Sequence, residues 1–152
     1  MNDLNNPIFY ALLMLVAGLG IPVMAALNGG LGTKIQSPEL ATTILFIVSG
    51  ALSIGYLLLS GGIPRFNPTE PIPIYFFLGG FFVIFYILSI TWAAPKFGVG
   101  NAISFVFLGQ LISMAVIDHY SLLGAPQNAL STQRVIGLAF MVAGVFFTVH
   151  RA

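Results

Sequence analysis

Residues 8–31 read IFYALLMLVAGLGIPVMAALNGGL. No charged side chain interrupts the run, and a hydrocarbon core of ~30 Å needs about 20 such residues as a helix. The apolar character is continuous rather than alternating, which removes the signature of a barrel strand. In lipid only elements that satisfy their own backbone can span, so the stretch is read as a transmembrane helix. It is an unusual one, with Gly18, Gly20 and Pro22 at its middle and Asn28, Gly29 and Gly30 near its end. Pro22 cannot donate to the carbonyl of Gly18, and its ring crowds that oxygen. A freed carbonyl must face protein or a water-filled cavity. Gly18, Gly20 and Pro22 are therefore a candidate hinge, although the same residue types also suit close helix packing.

The composition sets the solvent. The 152 residues are 58% hydrophobic and 6% charged, against about a quarter charged in a soluble domain. Too little polar surface exists to cover a globule in water. A net charge of +1 gives no footprint for nucleic acid, and the absence of cysteine excludes disulfides and thiolate metal sites. The polar start, MNDLNN, has no Lys or Arg, and the apolar run after it is too long for a signal-peptide core. It is expected to be retained.

Five segments are expected to span: residues 8–31, 40–60, 72–94, 99–117 and 132–149. The connections between them concentrate Gly, Pro, Asn and charge, as where backbone reaches water. No connection is long enough for a second domain, so residues 1–152 form one transmembrane domain, an all-α membrane bundle. An odd number of spans puts the termini on opposite sides. Arg65 and Arg134 then fall with the N-terminus, and Lys34, Lys96 and Arg151 with the C-terminus. The K/R bias that normally fixes orientation is nearly absent, which points to insertion both ways up. A partner that fixes one orientation is the alternative.

Polar side chains inside the spans are functional candidates, because each needs a partner. Asn28 ends a mostly small stripe of Met14, Gly18, Ile21, Ala25 and Gly32 at helical spacing. In the second span, SGALSIG (residues 49–55) offers Ser49 with Ser53 and Ala51 with Gly55 for close packing. In the third, Tyr75, Gly79, Phe82, Tyr86 and Ser89 share a face, and a deep phenol such as Tyr86 usually finds a hydrogen-bond partner. The fourth is the most polar. Asn101 and Ser104 share one face, and Gln110 points roughly the opposite way, toward a cavity or a partner chain. Asp118 and His119 close that span, as a proton relay or simply as its wet end. Gly137 and Gly144, on one face with Met141 and Thr148, form a candidate packing seam. Arg134 and Arg151 are expected to snorkel to the two surfaces. No HExxH, CxxC, GxSxG, P-loop or GxGxxG pattern occurs, so no enzyme chemistry, metal or cofactor is indicated.

The order AGLGIPVMAALNGGLG, SPELATTILFIVSGAL, AAPKFGVGNAISFVFLGQLISMAVIDHYSLLG and RVIGLAFMVAGV resembles the YdcZ family, short five-helix half-transporters of the drug/metabolite transporter superfamily. The resemblance runs from about Ala17 to Val145, and the GQL…IDH block is its most specific part. It implies a multi-pass protein of the bacterial inner membrane whose singleton members pair antiparallel, here as ten helices. The family pattern carries a glutamine in the first helix between the proline and the asparagine, where this sequence has Met24. GLAFMVAGV is also similar to the dimer seam of small multidrug resistance proteins, which use a glutamate in their first helix. The first span here holds no acid, so proton-coupled cation export is not carried over.

The leading expectation is a transporter of a small polar or amphipathic solute, working by alternating access in the lipid bilayer as an oppositely oriented homodimer. Asn28, Tyr86, Ser89, Asn101 and Gln110 would contact the solute, and Gly137 and Gly144 would pack the dimer. The alternatives are a proton-coupled organic-cation exporter with Asp118 and His119 as coupling groups, a channel, or a non-transporting subunit that needs a partner.

Overall fold

The computed structural model describes residues 7–63, 72–125, 127 and 130–149. Arg65, Arg151 and the MNDLNN start lie outside the described residues. Within them the chain is helical: α1 (Pro7–Lys34), α2 (Pro38–Leu59), a 3-10 turn (Ile74–Leu78) leading into α3 (Gly79–Phe97), α4 (Val99–Tyr120), a 3-10 turn (Leu122–Gly124) and α5 (Thr132–Thr148). Four elements, α1, α2, Ile74–Phe97 and α4, are long and apolar enough to cross a membrane. Helix α5 is apolar but shorter, with 17 residues, or about 26 Å at helical rise. Within the most apolar stretch of each of the four spans, no more than 17% of residues are buried. Most of their apolar surface is therefore left uncovered among the described residues.

Helix α1 runs one residue earlier and three later than the apolar run suggests, and it continues through Pro22 without interruption. Loss of one i→i−4 bond is tolerated because the neighbouring bonds hold. The structure therefore has no gap in the first helix, and any flexibility at Pro22 is that of a weakened turn. The expected small stripe is only half buried. Ala25, Asn28 and Gly32 are inside, joined by Gly29, whereas Met14, Gly18 and Ile21 are exposed.

The chain divides into two compact units, one reaching Lys96 and the other beginning at Phe97. In the first unit, the carboxy-terminal half of α1 packs on the start of α2 and the end of α3. The reason is size. A Cβ on Gly32 would lie 3.2 Å from Thr91 Cγ2, 3.4 Å from Pro38 Cα and 3.6 Å from Ala41 Cβ, and one on Gly29 would lie 3.3 Å from Pro95 Cγ. Between α1 and α2, Ser37 N–H bonds Gly32 O at 3.1 Å and Gln36 N–H bonds Thr33 O at 3.4 Å. This is a Schellman closure, which places its penultimate residue in left-handed backbone. That residue is Gln36, at φ 55°. Ser37 then caps α2, its hydroxyl accepting from Leu40 N–H at 3.1 Å, and Pro38 occupies the first turn, where no N–H is required. The SGALSIG segment finds no such contact, and a Cβ on Gly50 or Gly55 would meet nothing within 4 Å.

In the second unit α4 packs on α5, with Ala102, Leu111 and Val145 buried. Ser131 caps α5 through Arg134 N–H at 3.2 Å. The Arg134 guanidinium, expected at the surface, is bound to the Asp118 carboxylate.

Gly32→Leu is expected to lower stability by about 1–3 kcal/mol, the usual cost of overpacking, read as thermal unfolding in detergent. Gly30→Leu, two residues away with nothing within 4 Å of its Cβ position, is expected to leave the midpoint in place.

Candidate functional site

An amide inside an apolar helix needs a partner, and Asn28 has one. It is 4% exposed, and its Nδ2 donates to Thr91 Oγ1 at 2.5 Å. Thr91 is itself 1% exposed. This bond between α1 and α3 exists because Gly29 and Gly32 flank Asn28 and let the backbones approach. Pro95 adds to it. Having no N–H, it leaves the Thr91 carbonyl without its helical donor, and that oxygen lies 3.7 Å from where a Gly29 Cβ would be.

Two recesses flank the pair. A cleft of about 440 Å³ at the ends of the helices is lined by Gly32, Thr33, Gln36, Pro38, Thr91, Trp92, Pro95 and Lys96. The Lys96 ammonium lies 3.9 Å from the centroid of the Trp92 ring, a cation–π contact. A groove of about 330 Å³ along α1 and α2 is lined by Asn28 and Ser49 among apolar side chains such as Met24, Leu27, Leu31 and Val48. Thr91 thus faces the polar cleft, Asn28 the apolar groove, and one hydrogen bond joins them.

The other candidates are distributed differently. Tyr86 is half-buried, and its hydroxyl is enclosed with no hydrogen-bond partner among the described residues. Ser89 is exposed. The buried face of α3 is Ile87, Ile90, Thr91 and Ala94, and Thr91 lies about 200° around the helix from Ser89 at 100° per residue. The sequence reading followed the face rich in aromatic and hydroxyl groups and missed Thr91. The available signal was a lone threonine four residues before a proline inside a span.

In the second unit, Asn101 is half-buried and donates to Phe97 O at 3.1 Å, so part of its amide completes the turn into α4. Gly98 permits that turn with φ 90°. Gln110 is exposed, on the outer surface of α4. Gly137 and Gly144 are open, since a Cβ on either would meet nothing within 4 Å. Gly144 borders a shallow recess of about 350 Å³ with Ser104, Phe107, Met141 and Thr148. Beyond the Asp118–Arg134 pair, His119 Nδ1 accepts from Leu130 N–H at 3.3 Å. Both residues thus tie the end of α4 to the start of α5 and the loop before it. Among the described residues no group of three His, Cys, Asp or Glu side chains could hold a metal.

A family profile described as "Putative inner membrane exporter, YdcZ" matches residues 9–147. The chain belongs to the YdcZ family. With its apolar helices, that membership makes it a multi-pass inner-membrane protein of transporter type. No curated protein and no solved structure matches it.

If the Asn28–Thr91 bond holds α1 to α3, Thr91→Val leaves a buried amide unpaired and is expected to cost about 1–3 kcal/mol. The double variant Asn28→Leu/Thr91→Val is expected to recover part of that loss, as a double-mutant cycle by thermal unfolding would read.

Proposed function

We propose that the chain moves a small polar or amphipathic solute across the inner membrane by alternating access, as an antiparallel homodimer, and that it is not an enzyme. The observation that carries this reading is the buried Asn28–Thr91 pair between a polar cleft and an apolar groove. A buried polar contact flanked by two recesses is the arrangement expected of a barrier that a solute displaces. Irregular or weakened helices lining such a path are usual in transporters, and the Pro22 turn of α1 supplies one. Tyr86 and Ser89 are proposed to contact solute from the opposite face of α3, and Asn101 and Gln110 from α4.

A second copy is favoured by the exposure of Gln110 on α4 and by the openness of Gly137 and Gly144 on α5. An amide facing hydrocarbon costs several kcal/mol, and a polar path enclosed between two copies relieves it. Small residues at a helix surface let that partner approach closely. The near-balanced Lys and Arg count is consistent with the partner being inverted. The organic-cation alternative loses support, because Asp118, its candidate coupling acid, is already paired with Arg134.

A single cysteine placed near Asn5 or near Ala152, labelled in intact cells with an impermeant reagent, is expected to react in about half of the molecules at either position. Labelling of only one terminus would exclude the self-sufficient inverted dimer. In proteoliposomes, Asn28→Leu and Gln110→Leu are each expected to abolish solute flux while the dimer persists by crosslinking. Undiminished flux in both would remove them from the path.

A further inference from the structure

The cleft at the end of the first unit has a chemistry that the transport reading leaves unassigned. Its charged wall is Lys96, and among the described residues no carboxylate pairs with that ammonium; its contact is the Trp92 ring at 3.9 Å. A ring face attracts the cation, but it provides no hydrogen-bond acceptor. The three N–H donors of the ammonium remain available to an anion. Glu39, the acid at the start of α2, is engaged by the Ser37 hydroxyl at 3.0 Å and does not line the cleft.

The second wall is Gln36, which the Schellman closure holds at φ 55°. Glycine is the inexpensive residue at that position, and a side chain there costs on the order of 1 kcal/mol. An amide kept at a strained position on the rim of a cleft is a pointer to function. The carboxy-terminal ends of α1 and α3 are the negative ends of their dipoles, and Lys96 is the cation that offsets them at the cleft. The α1 carbonyls of Leu31, Gly32 and Thr33 are taken up by N–H groups of the turn, and the N-terminus of α2, the positive end of its dipole, borders the cleft through Pro38. Beneath lies Thr91, and across its hydrogen bond to Asn28 begins the apolar groove.

We propose that this cleft binds the anionic head of an amphipathic molecule, a carboxylate or phosphate held by Lys96 and Gln36. Its apolar stem occupies the α1–α2 groove, and the Asn28–Thr91 bond must open for the two parts to be joined. The inference rests on the proposed transport function and deepens it, by naming the substrate class as amphipathic anions. The same chemistry is presented by a free alkyl acid and by the headgroup of an anionic lipid.

Trp92 is the sole tryptophan of the chain and lines the cleft, so intrinsic emission reports from its wall. In phosphatidylcholine proteoliposomes, hexanoate is expected to change that emission saturably, whereas hexanol and hexylammonium are not. Lys96→Gln is expected to raise the hexanoate midpoint about tenfold or more, the worth of a charge-assisted hydrogen bond, and Lys96→Arg to keep it within a few-fold. The midpoint is the readout, because removing the ammonium alters the emission of Trp92 by itself. If vesicles doped with phosphatidylglycerol give the same change and compete with hexanoate, the anion site stands with a lipid headgroup as its source. If only hexanoate acts, a free solute is the source. An equal midpoint for hexanol or hexylammonium, or an unchanged midpoint in Lys96→Gln, overturns the proposal. Hexanoate binding without saturable flux of any tested solute would refute the transport reading and leave the site. Flux of another solute without hexanoate binding would do the reverse.

Discussion

A polar side chain in hydrocarbon has no water to turn to, and most of the first unit follows from how one such group is satisfied. Asn28 sits seven residues beyond the middle of α1, where an unpaired amide would cost several kcal/mol. Its partner is Thr91 on α3. To bring the two within hydrogen-bonding distance the backbones must approach more closely than ordinary side chains allow, and Gly29 and Gly32 provide that space. The same approach seats α2, since Gly32 also receives Pro38 and Ala41. The turn that delivers α2 must then reverse the chain at once after Lys34, and the Schellman closure at Gln36 does so. Measured hydrogen bonds between membrane helices average about 0.6 kcal/mol. The bond therefore selects one arrangement against unsatisfied alternatives more than it contributes energy of its own.

The spans were legible because lipid imposes a strong rule on sequence. Long charge-free runs matched α1, α2 and α4 to within a few residues, and the third span likewise once the 3-10 turn before α3 is counted, whereas the last segment formed a shorter helix than the four spans. Asn28 was legible for the same reason, as an amide where none is cheap. Its partner was not. Thr91 is one hydroxyl among several in the third span, and hydroxyls satisfy themselves locally so readily that their presence says little. Thr33 and Thr43 each bond the carbonyl four residues back. Only the three-dimensional approach of α1 distinguishes Thr91 from Ser89. Gln110 shows the converse. Its cost could be read from the sequence, but within its own unit the described residues leave it exposed.

The second unit handles charge rather than amide. Asp118 and Arg134 lie at the end of α4 and just inside α5, and their side chains are 24% and 27% exposed. A pair at that depth keeps some solvation, so it escapes most of the desolvation penalty of a fully buried ion pair. It also fixes where α5 begins. Sixteen residues separate the partners, a distance at which charge patterning along one helix gives no guide. The place of Arg134 at the end of a span was legible in the sequence, and its pairing with Asp118 was not. The His119–Leu130 bond repeats the logic with a neutral group, since Nδ1 accepts and the imidazole proton must sit on the other nitrogen.

The two halves of α1 differ in a way that bears on motion. Every residue from Pro7 to Ile21 is exposed, whereas the buried positions all come after Pro22. A weakened turn in a helix has mechanical consequence only if one side is held and the other is free to move. Here the held side is the Gly29–Gly32 face with its hydrogen bond, and the free side carries Gly18 and Gly20, which touch nothing within the described chain. Glycines that serve no contact among the described residues still cost helical stability, about 1 kcal/mol each relative to alanine. Two of them one turn ahead of a proline are hard to explain as packing within one copy. They are explained if the amino-terminal half of α1 bends about Pro22, or if a helix of the second copy lies across it. In both, the Pro22 turn joins a half-helix held within the first unit to one that is exposed.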